Sequence, residues 1–326
     1  MRALCVATMT RTGWPPEIIE PRQRVISDND YGGDPDGLVQ LAHHVLCDSV
    51  DLRCVIGSSV APYHAGWQES RVASVVAAER VIELAKRTDV PVVAGAPAAL
   101  ATRTAPQPSP ASDAIVTEAM RDDTTVPLIV VCGGGLTNIA SAWLMDPRIA
   151  ERLTLVWIGG PEHPGLAEPP PGALPVEYNT SIDLVAAQVV FNDSNLDVWQ
   201  VPRDAYRQVL ASRSELLVRM RSQGPLGAHL FDALGDAARN LTAFDRHMGE
   251  TYVLGDNPLV LLTALWSNFD PAPASSRWVV QPRPNITDSG DYEPNPHGPP
   301  LRIFTQLDTR LLLEDFYAKL ALFATR

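Results

Sequence analysis

Four aspartates, Asp28, Asp30, Asp34 and Asp36, crowd the stretch that follows the short strand-like run Arg24–Ser27, and a helix-like segment opens at Leu38. Carboxylates this close repel one another unless something positive lies among them. At the exit of a buried strand, a hard divalent cation that prefers carboxylate oxygens fits that need. The plainer alternative is an aspartate-rich turn capping the helix, where negative charge favours the N-terminal end. One aspartate suffices for a cap; four exceed the need. An EF-hand loop is excluded, because counting from Asp28 places Gly32 fifth and Val39 twelfth, where that loop needs an oxygen ligand and a glutamate. A phosphatase of the haloacid dehalogenase type also begins with Asp-x-Asp, but its lysine and late acidic pair cannot be placed here.

Three further segments carry polar groups at the ends of expected elements. Glu177-Tyr178-Asn179 leads through Asp183 into a helix at Leu184. Read as extended chain, its Glu177 and Asn179 share a face and present a carboxylate and an amide to a polyol. Cys132-Gly133-Gly134-Gly135-Leu136-Thr137-Asn138 joins a strand to a helix, but lacks both GxGxxG and a GK[ST] ending. It is expected to approach a site closely with its backbone. Asp256-Asn257-Pro258 precedes an apolar helix, where either polar residue caps that helix or reaches a cation.

The elements that would hold these groups alternate. Leu52–Gly57, Val92–Ala94, Leu128–Val131, Leu153–Ile158 and Val198–Val201 read as strands; Leu38–Cys47, Glu69–Lys86, Thr137–Met145 and Leu184–Phe191 read as helices. The order predicts an α/β fold, a mostly parallel open sheet with helices on both faces and a site at the carboxyl ends of its strands. Beyond Pro202 the chain turns mainly helical through Trp266. Strands at Trp278–Val280 and Arg302–Thr305 and a helix over Asp308–Phe323 follow. Pro-rich loops are expected at Ala105–Ala111, Pro161–Pro175 and Gln281–Pro300. One domain over residues 1–326 is expected, with 1–23 as an irregular extension.

Composition narrows the function classes. A net charge of −12 over 326 residues disfavours nucleic acid and acidic membrane surfaces, and a 45% apolar content supports a large core. Cys5, Cys47, Cys54 and Cys132 show no CxxC spacing, so buried thiols in a reducing, cytoplasmic setting are expected. No apolar run reaches the ~18 residues of a membrane span.

Taken in order, the segments resemble the inosine-uridine preferring nucleoside hydrolase family over roughly residues 24–270. Asp28-Asn29-Asp30-Tyr31-Gly32 is similar to the first half of its Asp-rich signature. Ile56-Gly57-Ser58-Ser59-Val60 and Pro91-Val92-Val93-Ala94-Gly95-Ala96 look like its next two strand motifs. Gly135-Leu136-Thr137-Asn138-Ile139-Ala140 resembles its Gly-Pro-Leu-Thr-Asn helix start, and Glu177-Tyr178-Asn179 its Glu-Phe-Asn stretch. The resemblance implies calcium-dependent cleavage of a ribonucleoside N-glycosidic bond, a nucleoside-like small-molecule substrate and a homodimer or homotetramer. It implies Asp30 as general base and metal ligand, with Asp34 or Asp36 and the Thr137 carbonyl completing the calcium shell. Asp28, Glu177 and Asn179 would bind substrate. Trp67, read from its place near the same loop as His64, either stacks on a purine or belongs to the core.

Two departures stand out. Gly37 removes one of the family's paired aspartates. The family's late His-Asp pair becomes Asp256-Asn257, giving Asn257 as the late ligand, or Asp256 after a one-residue slip. Candidate leaving-group acids are Asp256, His64 and His247. The same chemistry on an unusual riboside, or a repurposed ribose-binding protein, is the alternative reading.

Overall fold

The computed structural model describes residues 19–60, 66–242, 247–266 and 275–326. Strands β1 (Gln23–Asn29), β2 (Val50–Gly57), β3 (Val92–Ala94), β4 (Leu128–Cys132), β5 (Leu153–Ile158) and β6 (Asp197–Val201) alternate with helices. These are α1 (Asp36–Val45), α2 (Trp67–Leu84), α3 (Pro110–Ala119), α4 (Thr137–Met145) and the short pair α5 (Tyr178–Ile182) and α6 (Leu184–Gln188). Then come α7 (Arg203–Tyr206), α8 (Arg213–Leu216), α9 (Gly224–Thr242) and α10 (Pro258–Ala264). Strands β7 (Leu210–Ser212) and β8 (Thr251–Val253) pair antiparallel beside them. The last elements are β9 (Arg277–Pro282), the hairpin β10 (Asn285–Ile286) and β11 (Tyr292–Glu293), β12 (Pro300–Gln306) and α11 (Thr309–Ala324).

The main sheet runs β3-β2-β1-β4-β5-β6-β12-β9. Every neighbouring pair is parallel except the edge pair β12–β9. The chain steps outward from β1 to β2 and β3, then returns to the other side of β1 with β4. That reversal opens a crevice at the carboxyl ends of β1 and β4, where ligands bind in open parallel sheets. Both faces of the central strands are covered, so β4 is buried at every residue. Val25, Val55, Ile129, Val131 and Val156 pack on one face, and Ile26, Ile56, Val130, Leu155 and Trp157 on the other.

Helix α1 follows the aspartate segment and is buried along all ten of its residues. It touches α2, α9, α10 and α11 as well as β2. This explains how polar Gln40, His43 and His44 come to lie inside.

Several boundaries differ from the sequence expectation for local reasons. The Pro-rich stretch expected as loop over Ala105–Ala111 yields to α3 at Pro110. Ser109 caps the Ser112 amide there, and proline suits the first helical position. The helix expected through Phe191 ends at Gln188 and continues as a wider π-type turn over Val189–Asp193. Strands β7 and β8 are three residues each, too short for a period-two pattern.

Leu155 is fully buried on one face of the sheet. Leu155→Ala is expected to cost roughly 2–5 kcal/mol by leaving a cavity. Urea unfolding checks this, and a loss well below that range would contradict the packing.

Candidate active site

The aspartates sit at the mouth of the crevice, but each has a different job. Asp28, at the end of β1, is fully buried. It accepts a hydrogen bond from Ser58 Oγ, just past β2, and two from Asn138 Nδ2, at 3.0 and 3.2 Å, in the first turn of α4. Asn138 Oδ1 in turn accepts the Ala96 amide at 2.8 Å, beyond β3. Asp28 therefore ties together the tips of four strands. Burial pushes its carboxyl up to about 6, with the Ser58 and Asn138 bonds pulling the other way.

Asp30 is 6% exposed, and its carboxylate accepts no hydrogen bond from another described residue. Burial, then the neighbouring Asp256 and Asp34 charges, hold it well above the usual carboxylate range. Asp34 lies at the solvent edge, accepting Tyr252 OH at 2.7 Å and the Asp36 amide at 3.3 Å. Asp36 opens α1 and accepts the Asp256 amide at 3.1 Å. Asp256 accepts Asn29 Nδ2 at 2.9 Å, and burial pushes its carboxyl up to about 7.

Among the described residues none of these five carboxylates forms an ion pair. Buried anions without a counter-charge must take up protons or a cation. The donors are all hard oxygens, and the buried Asn257 beside them leaves both amide atoms without a partner. The residues therefore fit a hard divalent cation. No three of the carboxylates bring an oxygen each within 4.8 Å of one another, so a cation here would draw on amide, carbonyl or water oxygens as well. The described group that does meet that spacing is His43, Cys47 and Asp315, between α1 and α11. There the Lys319 ammonium already lies 2.6 Å from Asp315 and 3.1 Å from Cys47 Sγ.

Glu177 and Asn179 do not share a face. Glu177 is the N-cap of α5, which the extended reading did not foresee, and the two positions that separate it from Asn179 are about half a helical turn. Glu177 Oε2 accepts the Gly160 and Thr180 amides and Thr180 Oγ1, and its Oε1 accepts Tyr206 OH at 3.0 Å. Asn179 Nδ2 bridges the Gly133 and Ile158 carbonyls at 3.0 and 2.8 Å, joining the ends of β4 and β5.

The remaining candidates are spread more widely. Thr137 Oγ1 donates to Asp183 at 2.8 Å. Trp67 is half-buried, with Nε1 donating to the Ala96 carbonyl. It lines a narrow cleft with Ser58, Thr137 and Asn138. His247 is exposed ahead of β8. His64 lies outside the described residues.

The sequence reading passed over Asn29, Gln40, Ser58 and Asn138 as members of the site. The signal for Asn29 was Gly37. A Cβ on Gly37 would come within 2.9 Å of Asn29 Nδ2, and one on Gly133 within 2.3 Å. The two glycines clear the space that the amide fills.

The family model for the inosine-uridine preferring nucleoside hydrolase matches residues 25–279. A Leishmania major inosine-uridine preferring nucleoside hydrolase is 42% identical over 86 residues, 26% of each chain, so the match spans about a quarter of that relative's length. Among solved structures, a plant nucleoside hydrolase superposes with a TM-score of 0.67 at 16% identity, over 92% of this chain and 99% of its own. The purine-preferring ribonucleoside hydrolase from Gardnerella vaginalis does so with 0.67 at 18%, over the same shares.

Two outcomes test this geometry. Gly133→Ala is expected to displace Asn29 and cost roughly 1–3 kcal/mol of overpacking, read by thermal unfolding. In metal-free protein, Asp28 and Asp256 keep protons in the folded chain that the unfolded chain has lost. The folded state then binds more protons, so stability falls as pH rises from about 4 through about 7. Denaturant titrations across that range should show the decline and its flattening by a bound divalent cation. A metal-free profile that rises with pH would contradict the buried, unpaired cluster.

Proposed function

This chain belongs to the inosine-uridine preferring nucleoside hydrolase family, and from that premise we propose that it hydrolyses the N-glycosidic bond of a ribonucleoside or modified nucleoside, releasing base and ribose. The carrying observation is Asp30. It is a buried carboxylate at the crevice between β1 and β4, held at a raised proton affinity and accepting no hydrogen bond from another described residue. Such a group can take a proton from an attacking water. The carboxylates around it suit the positive charge that develops on a sugar ring as the base departs.

We take the hard cation that the donors suit to be calcium, with Asp30, Asp34, Asp36, Asp256 or Asn257 and the Thr137 carbonyl as its candidate ligands. When bound it would acidify a water and orient the sugar diol. Asp256 faces the carboxylate cluster through Asn29 and Asp36, which supports it over Asn257 as the late acidic ligand. Glu177 and Asn179 then act on substrate from the far wall, with their backbone-directed bonds fixing that wall in place. The leaving base is protonated by water or by a residue outside this cluster, His64 being one candidate.

A second reading rests on one observation. Where the family has a second carboxylate, Gly37 stands with the Asn29 amide against it, which leaves the site one negative charge short. A ribose-binding protein without turnover would tolerate that loss.

Release of free ribose from purine, pyrimidine and modified nucleosides, with calcium and with chelator, decides between the two. Calcium-dependent release that Asp30→Asn lowers by roughly 10²–10⁴ is expected of the hydrolase. Tight ligand binding without release would support the binding protein.

A further inference from the structure

A chain of buried polar groups runs behind the aspartates. Asn29 Nδ2 lies 3.3 Å from Gln40 Oε1 as well as 2.9 Å from Asp256 Oδ2, and Asn29 Oδ1 accepts the Asp30 amide at 2.8 Å. Gln40 Nε2 contacts Ser27 Oγ at 3.2 Å and His44 Nδ1. His44 Nε2 meets Thr263 Oγ1 at 2.8 Å, and that hydroxyl donates to the Leu259 carbonyl at 2.6 Å. Asn29, Ser27, Gln40, His44 and Thr263 are each no more than 2% exposed, and Asp256 is 5% exposed.

Each bond in this chain sets the polarity of the next. A backbone carbonyl can only accept, so the Thr263 proton is committed to Leu259. Thr263 Oγ1 then accepts from His44 Nε2–H, which leaves His44 Nδ1 bare. The bare nitrogen takes a proton from the Gln40 amide, turning Gln40 Oε1 toward Asn29. Asn29 must therefore offer Nδ2, and the second proton of that group goes to Asp256. Burial first, with the charges of His43 and Lys319 added, pulls the His44 pKa down to about 3, so the ring keeps this neutral tautomer near neutrality. The chain begins and ends on one element: Thr263 lies within α10 and Asp256 stands just before it.

We propose that Gln40, backed by His44 and Thr263, is a positioning residue for the hydrolytic site, holding, together with the Asp30 backbone amide, the way the Asn29 amide faces and thereby which Asp256 oxygen is left open. This role rests on the hydrolase reading above. Reversed, the Asn29 amide would turn its oxygen on the Asp256 carboxylate, setting two acceptors against each other. Asn29 also stands where Gly37 has given up a carboxylate, so the chain orients a neutral donor in place of that charge.

The test is a double-mutant cycle with Gln40→Met, which keeps shape and removes the bonds to Asn29, Ser27 and His44, and Asn29→Ala. Gln40→Met is expected to lower kcat about tenfold with KM within about twofold, and to add less than about twofold in the Asn29→Ala background. Thr263→Val, milder to folding, should lower kcat in the same direction by less. In wild type the Asn29 side-chain amide should give slowly exchanging ¹⁵N-coupled proton resonances, which Gln40→Met broadens. A Gln40→Met effect that repeats in full on Asn29→Ala, or that appears in KM alone, overturns the proposal. Should wild type release no base from any nucleoside, the hydrolase reading fails on its own. The amide resonance then decides the positioning, and no change with Gln40→Met overturns it.

Discussion

The structure is organised around one unfavourable act: several carboxylates are taken out of water at the end of one strand with no lysine or arginine among the described residues brought in to meet them. Desolvating an anion is costly, and the surroundings show how that cost is managed. Asp28 is given hydroxyl and amide donors and becomes a fastener for strand tips. Asp256 and Asp36 hold each other's neighbourhood through backbone and amide donors. Asp30 accepts no hydrogen bond from another described residue. The packing around it can be rigid because the sheet and a fully buried α1 are rigid, and a group kept short of partners by rigid walls is available for chemistry.

Much of this was legible in the residue order. Strand–helix alternation placed the parallel sheet, and β3, β5 and α4 fall on the residues expected from the sequence. The aspartate segment was recognisable because four like charges have few innocent explanations. What the sequence hid were facts of three-dimensional neighbourhood. Asn29 and Asp256 are 227 positions apart, and no local period links them. Gln40 and His44 occupy positions of α1 where an apolar side chain is the ordinary choice, and only the burial of the whole helix shows that they must satisfy one another. Glu177 looked like an exposed ligand on an extended segment because a five-residue helix is too short to leave a periodic mark.

One departure from the family pattern, Gly37, acts together with its neighbours. Gly37, Gly133 and Asn29 occupy one volume: two residues without side chains surround one amide. Removing a charge and installing a donor in its place changes both the attraction for a cation and the freedom of the neighbouring carboxylate. Such exchanges alter what a site prefers while leaving its sheet, helices and loops where they were.

Helix α1 is also gripped from the far end of the chain, where His43 meets Asp315 across 272 positions and Lys319 lies against Cys47. During vectorial synthesis, β1 and α1 leave the ribosome long before the segments carrying Asp256 and Asp315 exist. Through that interval the aspartates remain hydrated and α1 lacks its cover. The cost of drying the carboxylates is therefore deferred to the docking of α10 and α11, a late, long-range step of the kind that slows folding.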